Sequence, residues 1–155
     1  TCDNIKNRNI TTIILQKDIL SHIKVEEFVK RMCGLENFDS NIINKYLATI
    51  DLNEHYIEKI MCFYKKHKNK QMNELSGGQN KKIVIISSIL KFIIKKNKII
   101  MFDESEKGLD KENKEIYIKL VEAVHNSKNR HITFVITHDE TIINNIDIPI
   151  AEIHI

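Results

Sequence analysis

Short β-branched runs alternate with segments of helical periodicity along the second half of the chain, and no other feature limits its fold as strongly. Residues 99–102 (IIMF) and 131–137 (HITFVIT) read as strands. Between them Tyr117, Leu120, Val121 and Val124 recur at the spacing of one helix face, with Asp110 placed to cap that helix. Residues 139–145 read as a short helix, residues 10–15 (ITTIIL) as an earlier strand, and residues 148–155, interrupted by Pro149, as a last one. Strands separated by helical crossovers predict an α/β layout with a mainly parallel sheet.

Between the first strand and this alternation the pattern is helical. Val25, Phe28 and Val29 share one face, as do Ile57, Ile60, Met61 and Tyr64, so residues 21–74 are expected to form a helical insert. The run IVIISSIL that follows is ambiguous, because its β-branched content favours a strand. The preceding residues decide it: Ser76 with Gln79 three positions on is a capping-box pattern, which predicts a long buried helix from there to about Lys95.

Composition removes several classes of function. At 155 residues and 42% hydrophobic content the chain can bury a core without disulfide or metal staples. Its 24 basic and 21 acidic residues leave a net charge of +3, too balanced to point to nucleic acid, and the lysines at 65, 66, 68 and 70 read as a solvated face. Cys2, Cys33 and Cys62 are widely spaced, so no zinc site or disulfide framework is expected and a reducing setting is. The longest apolar run, residues 83–90, contains Ser87 and Ser88 and stops at Lys91, short of the roughly 20 residues that span a bilayer. Thr1 is followed by no signal-peptide pattern, which reads as a fragment boundary or a processing site.

The chain has four glycines, and Gly77, Gly78 and Gly108 all fall in segments that bear chemistry. The amides of Ser76, Gly77 and Gly78 open a helix, where they and the positive end of the helix dipole suit a phosphate, although a simple helix cap has the same residues. The whole pentapeptide Leu75-Ser76-Gly77-Gly78-Gln79 resembles the signature motif of ATP-binding-cassette (ABC) ATPases. Downstream elements follow in that family's order. Residues 99–104 (IIMFDE) resemble a Walker B strand, which implies that Asp103 holds Mg²⁺ and Glu104 polarises the attacking water. Gly108-Leu109-Asp110 resembles the D-loop, His138 the switch histidine that meets the γ-phosphate, and Gln16 the Q-loop glutamine that senses Mg²⁺ and contacts a partner domain. The implied fold is P-loop NTPase-like, a mainly parallel sheet with a helical insert, and the implied cofactors are ATP and Mg²⁺. The implied partners are a second ABC ATPase domain in a head-to-tail dimer and transmembrane domains, at the cytoplasmic side of a membrane, with no nucleic acid.

Some residues depart from the family pattern. Ser105 stands where proline is usual, residues 105–108 read SEKG, the basic residues after the signature are shifted, with Asn80 preceding Lys81 and Lys82, and about one helical turn is inserted near residues 92–96. The largest departure is an absence. A P-loop needs two glycines five positions apart followed by lysine, and glycines 34, 77, 78 and 108 supply no such pair. The chain is therefore expected to be an ABC ATPase domain without its N-terminal part, residues 75–155 forming the signature and catalytic core, inactive until a P-loop is supplied from outside. The length of the helical insert favours an exporter-type transporter. Two alternatives stay open: a lobe of a chromosome-maintenance or repair ATPase of the same superfamily, and a non-catalytic partner that lends only the signature.

Overall fold

A computed structural model describes residues 11–15, 21–128 and 131–149. Among them the order is β1 (Thr11–Ile14), α1 (Val25–Cys33), α2 (Ser40–Ala48), α3 (Glu54–His67), a 3-10 turn (Met72–Glu74), α4 (Gly77–Lys95), β2 (Ile99–Asp103), α5 (Lys111–Asn126), β3 (Ile132–Ile136) and α6 (Glu140–Asn145). None of the helices is long and apolar enough to cross a membrane.

Local signals account for where the helices begin. Asp39 accepts from the Asn41 amide ahead of α2, Asn53 from His55 ahead of α3, and Asp110 from Asn113 ahead of α5, so each helix start has one orphan donor satisfied. Helix α1 lacks a side-chain cap but carries Glu26 and Glu27 in its first turn and Lys30 and Arg31 in its last, matching its dipole, and ends on Gly34 at φ 65°.

Helix α4 settles the ambiguous run in favour of a helix. Ser76 Oγ accepts from the Gln79 amide at 3.4 Å and Gln79 Oε1 accepts from the Ser76 amide at 3.2 Å, the expected reciprocal cap. Ile83, Ile85, Ile86, Ile89, Leu90 and Phe92 are all buried, so the helix is apolar nearly all round. At about 1.5–3 kcal/mol for each buried large side chain, this burial outweighs a β-branched propensity cost of well under 1 kcal/mol per residue. The buried Ser87 hydroxyl donates to the Ile83 carbonyl one turn back, at 2.7 Å.

The strands pair in parallel in the order β1-β2-β3, with Thr11 opposite Ile99 and Ile99 opposite Ile132. Helix α4 packs against β1, α1 packs against α4, and α2 packs against α3. The sheet face formed by Thr12, Ile14, Ile100 and Phe102 lies in the core. The register puts Ile13, Ile99, Met101, Ile132, Phe134 and Ile136 on the other face, with Leu15 just past the end of β1; Ile99 and Met101 are half-buried and the others exposed.

The expected elements correspond closely to these, with several differences; Leu15 lies beyond the end of β1, and Asp139 caps α6 rather than belonging to it. Met61 is half-buried rather than on the buried stripe of α3. The strand at 99 runs one residue further, to Asp103, and the strand expected at 131–137 is one residue shorter at each end. Ile148 and Pro149 are not in a strand, and the remainder of the expected final strand lies outside the described residues, as do Ile10, Gln16 and Cys2.

Candidate functional site

Two groups of candidate residues form, one at the start of α4 and one at the ends of β2 and β3. At the first, Ser76, Gly78, Gln79, Gly108 and Asp110 line an open groove of about 610 Å³ whose other wall is Lys59, Cys62, Phe63 and Lys66 of α3. A Cβ on Gly78 would meet the Gly108 carbonyl oxygen at 3.3 Å, so glycine at 78 lets the signature turn lie directly on the loop that precedes α5. Gly108 itself sits at φ 88°. Lys81, buried, donates its ammonium to the Lys107 carbonyl and ties the first turn of α4 to the same loop. Lys82 donates to Asn113 Oδ1 at 2.7 Å and lies 4.3 Å from the Phe63 ring centroid. Burial, the largest influence, moves the Lys82 ammonium below its ordinary range. The shifted basic positions after the signature thus brace the groove wall.

At the second group, parallel pairing of β2 with β3 sets Asp103 opposite Ile136 and so brings Glu104 and His138 to the same strand ends. His138 Nε2 lies 3.6 Å from Glu104 Oε1, and the Lys107 ammonium lies 3.8 Å from Glu104 Oε2. Glu104 has φ 43°, a left-handed conformation that costs a non-glycine residue about 1 kcal/mol or more and that concentrates at functional sites. Its amide donates to the Ile136 carbonyl at 2.9 Å, which holds the turn against β3. The His138 side chain is 88% exposed, open to a ligand approaching from solvent.

Asp103 is half-exposed at the end of β2. Among the described residues no group of three or more carboxylate, imidazole or thiol side chains could cage a metal. Asp103 and Glu104 supply carboxylates at this strand end, and Mg²⁺ is commonly held by one or two carboxylates together with substrate phosphates and water. Asp110 is the N-cap of α5 and its carboxylate is spent on Asn113, through the backbone amide at 2.9 Å and the side-chain amide at 3.0 Å. Neither Glu104 nor His138 lines the signature groove.

Sequence reasoning singled out neither Glu106 nor Lys107 as a site residue, although both were visible as departures in the loop 105–108. Lys107 pairs with Glu104 one turn back, but the partner of Glu106 is distant in sequence: it accepts from the Thr137 hydroxyl, 31 residues away. The third departure has a partner too, since Ser105 is buried and its hydroxyl donates to the Tyr117 phenol oxygen at 3.1 Å.

With this geometry in view, comparison with known proteins gives a consistent result. No family model matches the chain. It is 30% identical over 138 residues to the spermidine/putrescine import ATP-binding protein PotA of Fusobacterium nucleatum, covering 86% of this chain and 32% of that protein. It is 25% identical over 142 residues to a putative ABC transporter ATP-binding protein, the MG468.1 homolog of Mycoplasma pneumoniae, covering 90% of this chain and 43% of that one. The chain therefore spans less than half the length of these relatives. In fold it matches a putative ABC transporter ATP-binding protein of Pyrococcus furiosus (TM-score 0.58, 18% identity, 86% of this chain and 59% of that). It also matches a bacterial Atm1-family ABC exporter (TM-score 0.61, 17% identity, 90% and 23%). The chain is thus a homologue of ABC transporter ATP-binding proteins and has the fold of an ABC nucleotide-binding domain.

Proposed function

We propose that the chain is the signature-bearing and catalytic portion of an ABC transporter nucleotide-binding domain, which binds and hydrolyses ATP to drive transport once a P-loop is supplied from outside residues 1–155. In this reading residues 21–74 are the helical insert and residues 75–155 the core. The observation that carries it is the juxtaposition of Glu104 and His138 across β2 and β3, on a loop that also abuts the signature turn.

The chemistry follows from the residues. The Ser76 hydroxyl and the amides of Gly77 and Gly78, at the start of α4, bind the phosphates of a nucleotide held by a second ABC domain in a head-to-tail dimer, while Gln79, whose side-chain oxygen accepts from the Ser76 amide, holds the turn that presents them. Asp103, with Gln16, would hold Mg²⁺, which would offset phosphate charge. Glu104 accepts a proton from the attacking water and His138 meets the γ-phosphate and steadies the Glu104 carboxylate. Asp110, in the D-loop, transmits the state of one site to the other by fixing the start of α5 beside the signature.

The open sheet face supports the claim that part of the domain comes from elsewhere. Parallel sheets are covered on both faces, and here five large apolar side chains on one face are 45–54% exposed. The P-loop-bearing segment is the cover this reading assigns to it, and transmembrane domains place the assembly at the cytoplasmic side of a membrane.

The test is ATP turnover by the chain joined to its natural upstream sequence. The extended protein is expected to hydrolyse ATP, and Glu104→Gln to lower turnover by about 10²-fold or more, since general-base catalysis contributes on that scale. Turnover unchanged by Glu104→Gln would leave the non-catalytic-partner reading in its place.

A further inference from the structure

Glu106 is 2% exposed, in the turn that follows β2, and the reaction scheme above gives it no role. Its Oε1 accepts from the Thr137 hydroxyl at 2.5 Å, and its Oε2 is buried with no hydrogen-bond partner. Thr137 Oγ1 in turn accepts from the Asp139 amide at 3.0 Å. These two bonds bracket His138. Beyond them the Asp139 carboxylate accepts from Lys114 of α5 at 2.5 Å and from the Thr141 amide at 2.9 Å, which anchors the far end of the loop to two helices. The near end is anchored where the Glu104 amide meets the Ile136 carbonyl.

A ring as exposed as that of His138 has little packing to orient it, so its place beside Glu104 is set by the backbone that carries it. Packing does not explain a carboxylate at 106, because a buried carboxylate oxygen without a partner is costly and an apolar side chain avoids that cost. The bond from Thr137 does explain it, because an apolar side chain offers that hydroxyl no acceptor. We propose that Glu106 is a positioning residue: through Thr137 it holds the loop bearing His138 at the separation from Glu104 that hydrolysis requires. The proposal rests on the function argued above, in which Glu104 and His138 act on one nucleotide.

The same extended protein tests it, with turnover kinetics and residue-resolved amide exchange measured on Glu106→Ala, Glu106→Gln and Thr137→Val. Glu106→Ala and Thr137→Val are each expected to lower kcat about tenfold, as sub-ångström to ångström misplacement does, with KM for ATP within about twofold. Both should speed exchange of the Asp139 amide while leaving α4 protected, and the double variant should be no slower than Thr137→Val alone, because that substitution already removes the bond that Glu106→Ala breaks. Glu106→Gln keeps an oxygen for Thr137 and should restore kcat and protection together. Wild-type kcat and Asp139 exchange in Glu106→Ala would overturn the proposal. So would a Glu106→Gln variant as impaired as Glu106→Ala, or losses that track weakened protection throughout α4. Should the wild-type protein not turn over ATP, the functional reading fails by itself. The exchange pattern then decides the strut, and unchanged Asp139 exchange in both Glu106→Ala and Thr137→Val sinks it.

Discussion

Glu104 combines the left-handed backbone of a turn residue with the carboxylate that the proposed function makes the base. Replacing it by alanine removes the carboxylate and keeps the strain, whereas glycine removes both. Glu104→Gly is therefore expected to be more stable than Glu104→Ala by about 1 kcal/mol, read from urea unfolding, with turnover lost equally in the two. Asp139 gives the residue scale a pH dependence. The Lys114 hydrogen bond, with the Thr141 amide assisting, holds its carboxyl below the ordinary value. A carboxyl depressed in the folded state contributes stability that is complete above its unfolded pKa and is lost as pH falls through the folded one. The contribution is expected to be present at neutral pH and to fade below about pH 4, and Lys114→Met should flatten that limb of a Tm-against-pH curve.

At the scale of elements, α4 joins the core to the site, since its buried length fixes where its first turn points. Ile89 is fully buried, and Ile89→Ala should cost about 2–5 kcal/mol in thermal or denaturant unfolding. Cysteines on two helices test the packing independently. Cys33, at the end of α1, is buried, and burial pushes its thiol up to about 11, while Cys62 on α3 is exposed in the wall of the signature groove. In the folded chain a maleimide should modify Cys62 and spare Cys33, with both modified in denaturant, as peptide mass spectrometry would report. Much of this level was legible in the sequence, because caps and periodicity are local. Ser76 and Gln79 announced the start of α4 against the propensity of its own residues, and Asp110 announced α5. What was not legible depends on packing between distant segments. The loop 105–108 looked like divergence from a family pattern until its partners Tyr117 and Thr137 came into view, and Met61 followed the helical period yet lies at the margin of the core.

The whole molecule is a three-stranded parallel sheet with helices on one side among the described residues, and its other side carries Ile13, Leu15, Ile132, Phe134 and Ile136. Periodicity could not reveal this. An alternating strand buries one set of side chains and exposes the next, whereas β3 carries apolar residues on both sets, Ile132, Phe134 and Ile136 on one and Val135 on the other, as strands covered on both faces do. Since an isolated apolar face of this kind favours association, the chain alone is expected to self-associate, and Phe134→Lys to reduce that association in sedimentation experiments. The same substitution should weaken capture of the P-loop-bearing segment, because a lysine on that face must be desolvated when the cover docks. A Phe134→Lys chain that is more monomeric yet joins the segment with undiminished affinity would place the cover on another surface. If both properties fall together, the face that makes the lone chain associate is also the one on which the proposed P-loop-bearing segment docks.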